Sequence, residues 1–201
     1  MKQFFTFLTT ILFAAATIAP ASAQQRGEWS IKGGLGWFSI PDVMGALIAG
    51  LGTAFGNPEG SQSEDFVPLL NPNIELHYGI NNWFALGGSL SVGYSSAKSV
   101  EAGGSVNKSA TALYPSLMVS AKTTYLRSGA FSMYGSLGIG IMALMAEQWS
   151  VDGSDNNNNF AIAPMGNLYP LGLSYGGRTG GFLEAGWGAK GFVNVGIYHV
   201  F

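Results

Sequence analysis

Two histidines, His77 and His199, are the side chains in this sequence best suited to acid–base chemistry. A lipid hydrolase or acyltransferase would need a histidine together with a serine and an acidic partner. His199 has no serine close to it in its segment, whereas His77 lies on the same side of an alternating run as Glu75. We therefore predict no catalytic site and interpret His77 as a hydrogen-bonded interior residue. Because the two histidines lie on opposite faces and the chain has no cysteine, we also predict no metal site.

The segment from Gly186 to Gly191 matches the glycine pattern of dinucleotide-binding loops. Such a loop is followed by a helix and by an acidic residue about 20 positions further on. Here an alternating segment follows instead, and the chain ends soon afterwards at Phe201. We therefore predict no cofactor site, and we expect the glycines to relieve crowding and to form a corner between two strands.

A set of polar residues lies on the polar side of segments in which polar and apolar residues alternate. Its members are Lys32, Glu75, His77, Lys122 and Glu184. If these faces line a closed barrel, the charges lie in a narrow lumen, where each must be paired or hydrated. The alternatives are a salt-bridged plug that blocks conduction and a gated pore. We favour the plug, because side chains fill an eight-stranded barrel.

The composition indicates a membrane barrel rather than a soluble domain. Charged residues make up 10% of the chain and 30 of its 201 residues are glycine, whereas a typical soluble domain is roughly 25% charged. Residues 1–23 are expected to be a secretory signal peptide, with Lys2 before an apolar run and Ala21-Ser22-Ala23 at the cleavage site. Residues 24–201 contain no apolar run of about 18 residues, so a closed barrel is the remaining way to span a membrane. The net charge of −2 argues against a nucleic-acid partner.

Eight alternating segments predict an all-β fold, an antiparallel transmembrane up-and-down β-barrel formed by residues 24–201. The segments are 28–38, 70–80, 84–94, 113–125, 131–141, 160–175, 183–188 and 193–201. Tight turns alternate with mostly longer connections, and aromatic residues flank the tight turns, Phe182 among them; both features are typical of outer-membrane barrels. Pro164 and Pro170 predict a bulge or local distortion in the sixth segment.

These features together resemble the small outer-membrane barrels of the OmpA/OmpX type. The C-terminal segment from Gly191 to Phe201 is similar to the signal read by the barrel-assembly machinery, in which apolar residues at every second position precede a terminal aromatic residue. His199 departs from this pattern, which usually has an aromatic or apolar residue there. The resemblance implies export to the periplasm, a Gram-negative outer membrane, membrane lipids and the assembly machinery as partners, and Phe201 as the assembly signal.

The first long connection is the segment in which we would first look for function. Its apolar residues follow helical spacing after Asp42, which is placed to cap a short helix. These residues are Met44, Leu47, Ile48, Leu51 and Phe55. The helix either covers the barrel mouth or provides an apolar contact surface for a hydrophobic ligand, an outer-leaflet lipid or a partner.

Three functions are consistent with the sequence. The first is a non-enzymatic outer-membrane barrel with a structural, surface-binding or adhesive role through its extracellular loops. The alternative is a narrow, porin-like barrel that binds small hydrophobic molecules or lets them pass. A lipid-modifying enzyme is disfavoured, because the sequence shows no matching histidine and serine.

Overall fold

The computed structural model describes residues 25–39, 67–68, 70–100, 106–150 and 157–201. The strands in these ranges are β1 (Trp29–Trp37), β2 (Val67–Pro68), β3 (Asn71–Gly79), β4 (Phe84–Val100), β5 (Val106–Ser128), β6 (Phe131–Ser150), β7 (Asn157–Gly176), β8 (Thr179–Trp187) and β9 (Val193–Val200). They form one antiparallel sheet that is closed by the pairing of β4 with β5. The two-residue β2 pairs with β4 just beyond the part of β4 that pairs with β3, so β2 and β3 occupy the same position around the barrel. The wall therefore has eight strand positions. The predicted eight-stranded antiparallel barrel is confirmed.

Side chains alternate between the two faces of the wall, as the sequence predicts. Leu117, Val119, Ile139 and Ile197 point outwards and are 60–71% exposed. Inward-facing positions carry small, polar or aromatic residues that fill the interior, and most of them are buried. An apolar exterior around a polar interior is the arrangement of a barrel that lies in lipid.

The two sides of the barrel differ in strand length. We call β4 to β7 the long wall and β8, β9, β1 and β3 the short wall. Strand β5 has 23 residues and β6 and β7 have 20 each, whereas β1, β3 and β8 have nine. Because Gly129 and Ala130 form the tight turn between β5 and β6, the additional residues of these strands lie at the opposite end. For the long wall the sequence predicts shorter strands than the structure shows. The alternation of apolar and polar residues ends before the strands do, because the ends of these strands are polar but still paired.

The bulge predicted near Pro170 is confirmed. The pairing of β7 with β8 shifts register between Leu168 and Leu171, where proline cannot donate to the ladder. Pro164 causes no register shift opposite its β6 partner, Ile141. It lies beyond the part of β7 that pairs with β8, so it interrupts no hydrogen bond with that strand.

Aromatic side chains surround the end of the barrel where the short turns lie. Trp29, Tyr78, Tyr125, Tyr175 and Phe201 are 37–58% exposed there. Phe182 does not belong to this girdle, contrary to the sequence prediction, because it is only 4% exposed and points into the lumen. The described residues contain no helix long and apolar enough to cross a membrane.

Candidate functional site

Four charged side chains meet inside the barrel, and we call them the lumen cluster: Lys32, Glu75, Glu184 and Lys190. Lys190 Nζ lies 2.6 Å from Glu75 Oε1 and 3.0 Å from Glu184 Oε2. Lys32 Nζ lies 3.5 Å from Glu75 Oε1 and contacts Glu184 Oε1 directly. Each lysine therefore contacts both glutamates, and all four side chains are at most 4% exposed.

The strand register explains how these residues meet. Lys32 and Glu75 are directly opposite each other in the pairing of β1 with β3. Glu184 comes from β8, on the far side of β9, so the interior between β1 and β8 must stay open. Gly34 keeps it open, because a Cβ atom there would lie 2.6 Å from Asn194 Oδ1 and 2.9 Å from Phe182 Cζ.

Neutral polar groups hold Glu184 in place. Asn194 Nδ2 donates to Glu184 Oε2 at 2.9 Å, and Asn73 Nδ2 donates to Asn194 Oδ1 at 2.9 Å. The Tyr134 hydroxyl donates to Glu184 Oε1 at 3.0 Å. Buried ion pairs are stable only when such additional hydrogen bonds satisfy the charges, and these groups provide them for Glu184.

Aromatic rings lie against both ammonium groups. Lys32 Nζ lies 4.3 Å from the centre of the Phe182 ring, and Lys190 Nζ lies 4.2 Å from that of Tyr169. A cation within about 6 Å of a ring face is attracted by the ring's quadrupole. The rings therefore stabilise the lysine charges and also exclude water from them.

The corner between β8 and β9, residues 188–191, folds into the lumen and carries Lys190 with it. Gly188 and Gly191 have φ values of +152° and +108°, which favour glycine. Asn167 Oδ1 accepts from the Ala189 amide at 2.7 Å, and the Tyr169 hydroxyl donates to the Gly191 carbonyl at 2.6 Å. The glycines thus form the predicted corner, but its inward fold and the role of Lys190 were not predicted.

His77 contacts a serine that the sequence analysis did not identify. His77 Nε2 lies 3.0 Å from Ser120 Oγ, and His77 Nδ1 lies 3.9 Å from Glu75 Oε2. Ser120 lies on β5, two strands away from His77, and Gly87 is paired with both residues from β4 between them.

This arrangement has the residue types of a serine hydrolase but not its geometry. A separation of 3.9 Å exceeds the hydrogen-bond reach that orients a catalytic base. Glu75 is also shared with two lysines, and Ser120 is only 7% exposed. We interpret the contact between His77 and Ser120 as structural.

The structure separates the other candidate residues from the lumen cluster. Lys122 lies near the Tyr134 ring, 5.6 Å from its centre, and lines a cavity towards the short-turn end. His199 is on the outer surface, where its Nδ1 lies 2.7 Å from Thr179 Oγ1. Phe201 is 56% exposed in the aromatic girdle. No group of three or more metal-ligating side chains occurs within the described ranges.

The contact residues predicted in the first long connection lie outside the residues that the structure describes. They are Met44, Leu47, Ile48, Leu51 and Phe55. The predicted signal peptide, residues 1–23, lies outside them as well.

Comparison with known proteins agrees with this architecture. The family described as outer membrane protein beta-barrel domain matches residues 8–191. The chain therefore belongs to the outer-membrane β-barrel family, and it is an outer-membrane protein.

Two solved structures are similar to this chain. One is Ail, the attachment invasion locus protein of Yersinia pestis, at 16% identity over 88% of this chain and 99% of that one, with a TM-score of 0.44. The other is the outer membrane protein OprG from Pseudomonas aeruginosa, at 9% identity over 90% and 99%, also with a TM-score of 0.44. No curated protein matches the chain.

Proposed function

We propose that this protein is a plugged, non-enzymatic outer-membrane barrel that binds or adheres at the cell surface through its long wall. The observation that carries the proposal is the lumen cluster, in which two lysines and two glutamates neutralise one another. Because the four side chains of the cluster are at most 4% exposed, little space for water remains against them, and conduction is disfavoured. Function is then expected on the outer surface rather than in the lumen.

The long wall supports this proposal, because it is longer than a membrane requires. A tilted transmembrane strand needs about 9–11 residues, whereas β5 has 23. Among the β5 side chains that the structure describes, the first exposed apolar one is that of Leu113, and residues 106–112 of the sequence are mostly small or polar. At about 3.3 Å per residue, these seven positions extend β5 by roughly 20 Å beyond the apolar belt. A paired, polar extension of this kind offers a surface for contact outside the membrane.

Binding of small hydrophobic molecules remains the alternative. It depends on the apolar residues between Met44 and Phe55, which make an interaction surface if they are exposed together. The lumen cluster disfavours passage along the full lumen, so this alternative is restricted to binding at the mouth.

Shortening the long wall tests the proposal. Residues 97–110 are replaced by Asn-Gly, which closes a tight hairpin between the paired residues Ser96 and Thr111. We expect the shortened barrel to insert normally but cells that produce it to lose at least tenfold in adhesion. Adhesion is measured to polystyrene, to mucin-coated plates and to a layer of the same cells.

The matched control changes residues 101–105 to Gly and Ser at constant length and leaves the paired strands intact. This control shows whether adhesion requires the paired extension of the strands or the connecting residues 101–105. Adhesion that is equal for the original chain, the shortened chain and cells without the protein, on all three surfaces, would contradict the proposal.

Assembly is proposed to depend on the C-terminal aromatic residue. Phe201 lies at the short-turn end and its amide donates to the Trp29 carbonyl at 2.9 Å. We propose that residues 1–23 direct export and that Phe201 is then recognised by the barrel-assembly machinery. Deleting Phe201 should reduce the heat-modifiable, inserted form while export continues, and unchanged insertion would argue against this role.

A further inference from the structure

Lys190 differs from the other members of the lumen cluster in its place in the chain. Lys32, Glu75 and Glu184 lie on β1, β3 and β8, where strand pairing fixes their backbones. Lys190 instead lies in the corner of residues 188–191, which connects β8 to β9 and takes no part in the strand pairing of the described residues. The corner can therefore move while the strands stay paired.

Side chains hold the corner inside the lumen. The Ala189 amide donates to Asn167 Oδ1 at 2.7 Å, and the Tyr169 hydroxyl donates to the Gly191 carbonyl at 2.6 Å. The Gly191 amide donates to a carbonyl within the corner itself, at 3.4 Å. The corner is thus attached to the wall by side-chain hydrogen bonds and by the ion pairs of Lys190. Local contacts of this kind open at a lower free energy than the strand ladder of the core.

Glycines stand at both ends of the corner. Gly188 and Gly191 have φ values of +152° and +108°, and glycine changes these angles with the least steric cost. Hydrogen bonds just outside the corner hold the flanking strands. The Gly186 amide donates to the Phe192 carbonyl at 3.0 Å, and the Phe192 amide donates to the Trp37 carbonyl at 2.7 Å. Two permissive positions between fixed strand ends are suited to act as hinges.

The backbone of the corner fills the lumen beside β1. Gly36 faces the lumen, and a Cβ atom there would lie 2.7 Å from the Lys190 carbonyl carbon. The corner thus occupies space that a side chain of β1 would otherwise take. Since the interior of an eight-stranded barrel is only wide enough for its side chains, a backbone segment folded into it takes a large part of the cross-section. The corner is therefore part of what fills the barrel.

The charges favour the closed position of the corner. Lys190 Nζ lies 2.6 Å from Glu75 Oε1 and 3.0 Å from Glu184 Oε2. Without Lys190 the cluster would keep Lys32 against two carboxylates, and an uncompensated buried charge is unfavourable. Any arrangement with the corner lifted is therefore less stable than the closed one.

We propose that the β8–β9 corner is a hinged strap that closes the end of the lumen opposite the short turns, and that Lys190 is its latch. In the open state, residues 188–191 rotate about Gly188 and Gly191 towards the loops, and Lys190 leaves the glutamates. The strap rests on the proposed closure of the lumen and makes that closure reversible. Opening is a local event, because the eight strand positions stay paired.

The test measures how often the corner leaves its closed position. The chain has no cysteine, so a single introduced cysteine reports on its own site. Ala189→Cys places it on the corner, and Ala85→Cys is the matched control on β4, because both alanines are 4% exposed. The folded barrels in neutral detergent are treated with a charged methanethiosulfonate, and labelling is followed by mass spectrometry. We expect Ala189→Cys to react roughly tenfold faster or more, since labelling requires local opening.

Weakening the attachment of the corner should increase this rate. In the Ala189→Cys background, Lys190→Met removes the latch and should accelerate labelling roughly tenfold or more. Tyr169→Phe removes the hydrogen bond to the Gly191 carbonyl and leaves all four charges of the cluster in place. It should accelerate labelling severalfold, and it tests the strap even if the loss of Lys190 prevents folding.

Tyr134→Phe is the matched control for Tyr169→Phe. It removes a buried hydroxyl that donates to Glu184 and does not touch the corner. It should change the labelling rate less than twofold. The heat-modifiable gel shift of the same samples verifies that each variant is folded.

Equal labelling rates of the two cysteines would overturn the strap, as would equal effects of Tyr169→Phe and Tyr134→Phe, and closure of the lumen would stand. Conductance of the original chain in planar bilayers is recorded alongside. Steady conductance steps from the original chain would overturn the proposed closure itself, and the strap with it. A silent original chain whose Ala189→Cys variant is labelled faster than Ala85→Cys would support both.

Discussion

The two ends of the lumen contain the same kinds of side chain in different proportions. Towards the loop end, Lys32 and Lys190 are matched by Glu75 and Glu184, and each lysine contacts both carboxylates. Towards the short turns, Lys122 and Arg127 line a cavity without an acidic residue in its lining. One end is therefore filled by a balanced, buried cluster, while the other contains a cavity lined in part by cationic side chains.

The difference shows that the role of a charged side chain in the lumen depends on the charges that lie beside it. In our proposal the balanced cluster closes the barrel, because each of its charges has a partner and its side chains are at most 4% exposed. Lys122 and Arg127 are outside this cluster and line a cavity beside the short turns. Lys32 belongs to both regions, since it contacts the glutamates and also lines the cavity.

The largest effect is expected from Glu184→Ala, which breaks the balance of the lumen cluster. Both lysines and the donors of Asn194 and Tyr134 would lose a partner. Leaving buried charge uncompensated lowers the free energy of unfolding by about 3–5 kcal/mol. The measurement is urea unfolding in detergent, followed by the heat-modifiable gel shift.

The control for this variant is Glu28→Gln at the exposed rim, where the partner Arg178 is 63% exposed. An exposed pair contributes at most about 1 kcal/mol. If the two variants lose equal stability, the lumen cluster is not the buried network that we describe.

A smaller loss is expected when the inward corner is strained. Gly191 has a φ of +108°, and a Cβ atom there would lie 2.7 Å from the Trp37 amide nitrogen. Gly191→Ala should therefore destabilise the barrel by about 1–3 kcal/mol. Gly33→Ala is the control on the same unfolding assay, because no atom lies within 4 Å of its Cβ position. Equal behaviour of the two variants would show that the corner is not tightly held.

The coupling free energies between members of the lumen cluster should follow the distances between their charged atoms. In a double-mutant cycle, Glu75→Gln and Lys190→Met together should be less harmful than the sum of the single changes, by about 0.5–3 kcal/mol. The cycle with Lys32→Met should give a smaller coupling, because Lys32 Nζ is 3.5 Å from Glu75 and Lys190 Nζ is 2.6 Å away. Strict additivity in both cycles would show that these groups do not interact.

The smallest effect is expected from Ser120→Ala, which removes the contact with His77. A single neutral hydrogen bond contributes about 1 kcal/mol, so the unfolding midpoint should shift only slightly. The same samples are assayed for release of fatty acid from phospholipid. Release that Ser120→Ala abolishes would contradict the structural interpretation and revive the enzymatic one.

The strand pattern could be predicted because alternation is a local property. Lys32, Glu75 and Glu184 each follow the parity of their own segment, so their inward orientation is visible in the sequence. Phe182 has the same parity as Glu184, but its position beside a tight turn favoured the girdle. In β8, parity was the better guide to the orientation of Phe182.

The positions of Lys190 and Arg127 and the contact of Ser120 with His77 could not be predicted from the alternation of residues along a strand. Lys190 lies in a glycine corner between strands, where no alternation defines a face. Arg127 faces the cavity only because of the register shift near Tyr125. The contact of Ser120 with His77 requires the register of three strands and a glycine between them.

Ion flux through the barrel tests the central claim most directly, since that claim is closure of the lumen by the four-charge cluster. The folded protein is reconstituted into planar bilayers, and its insertion is verified by the heat-modifiable shift of the same preparation in liposomes. We predict no discrete conductance steps from the original chain in 1 M KCl at roughly ±100 mV. Reproducible, uniform steps that scale with the amount of inserted protein would contradict closure of the lumen and support a gated pore.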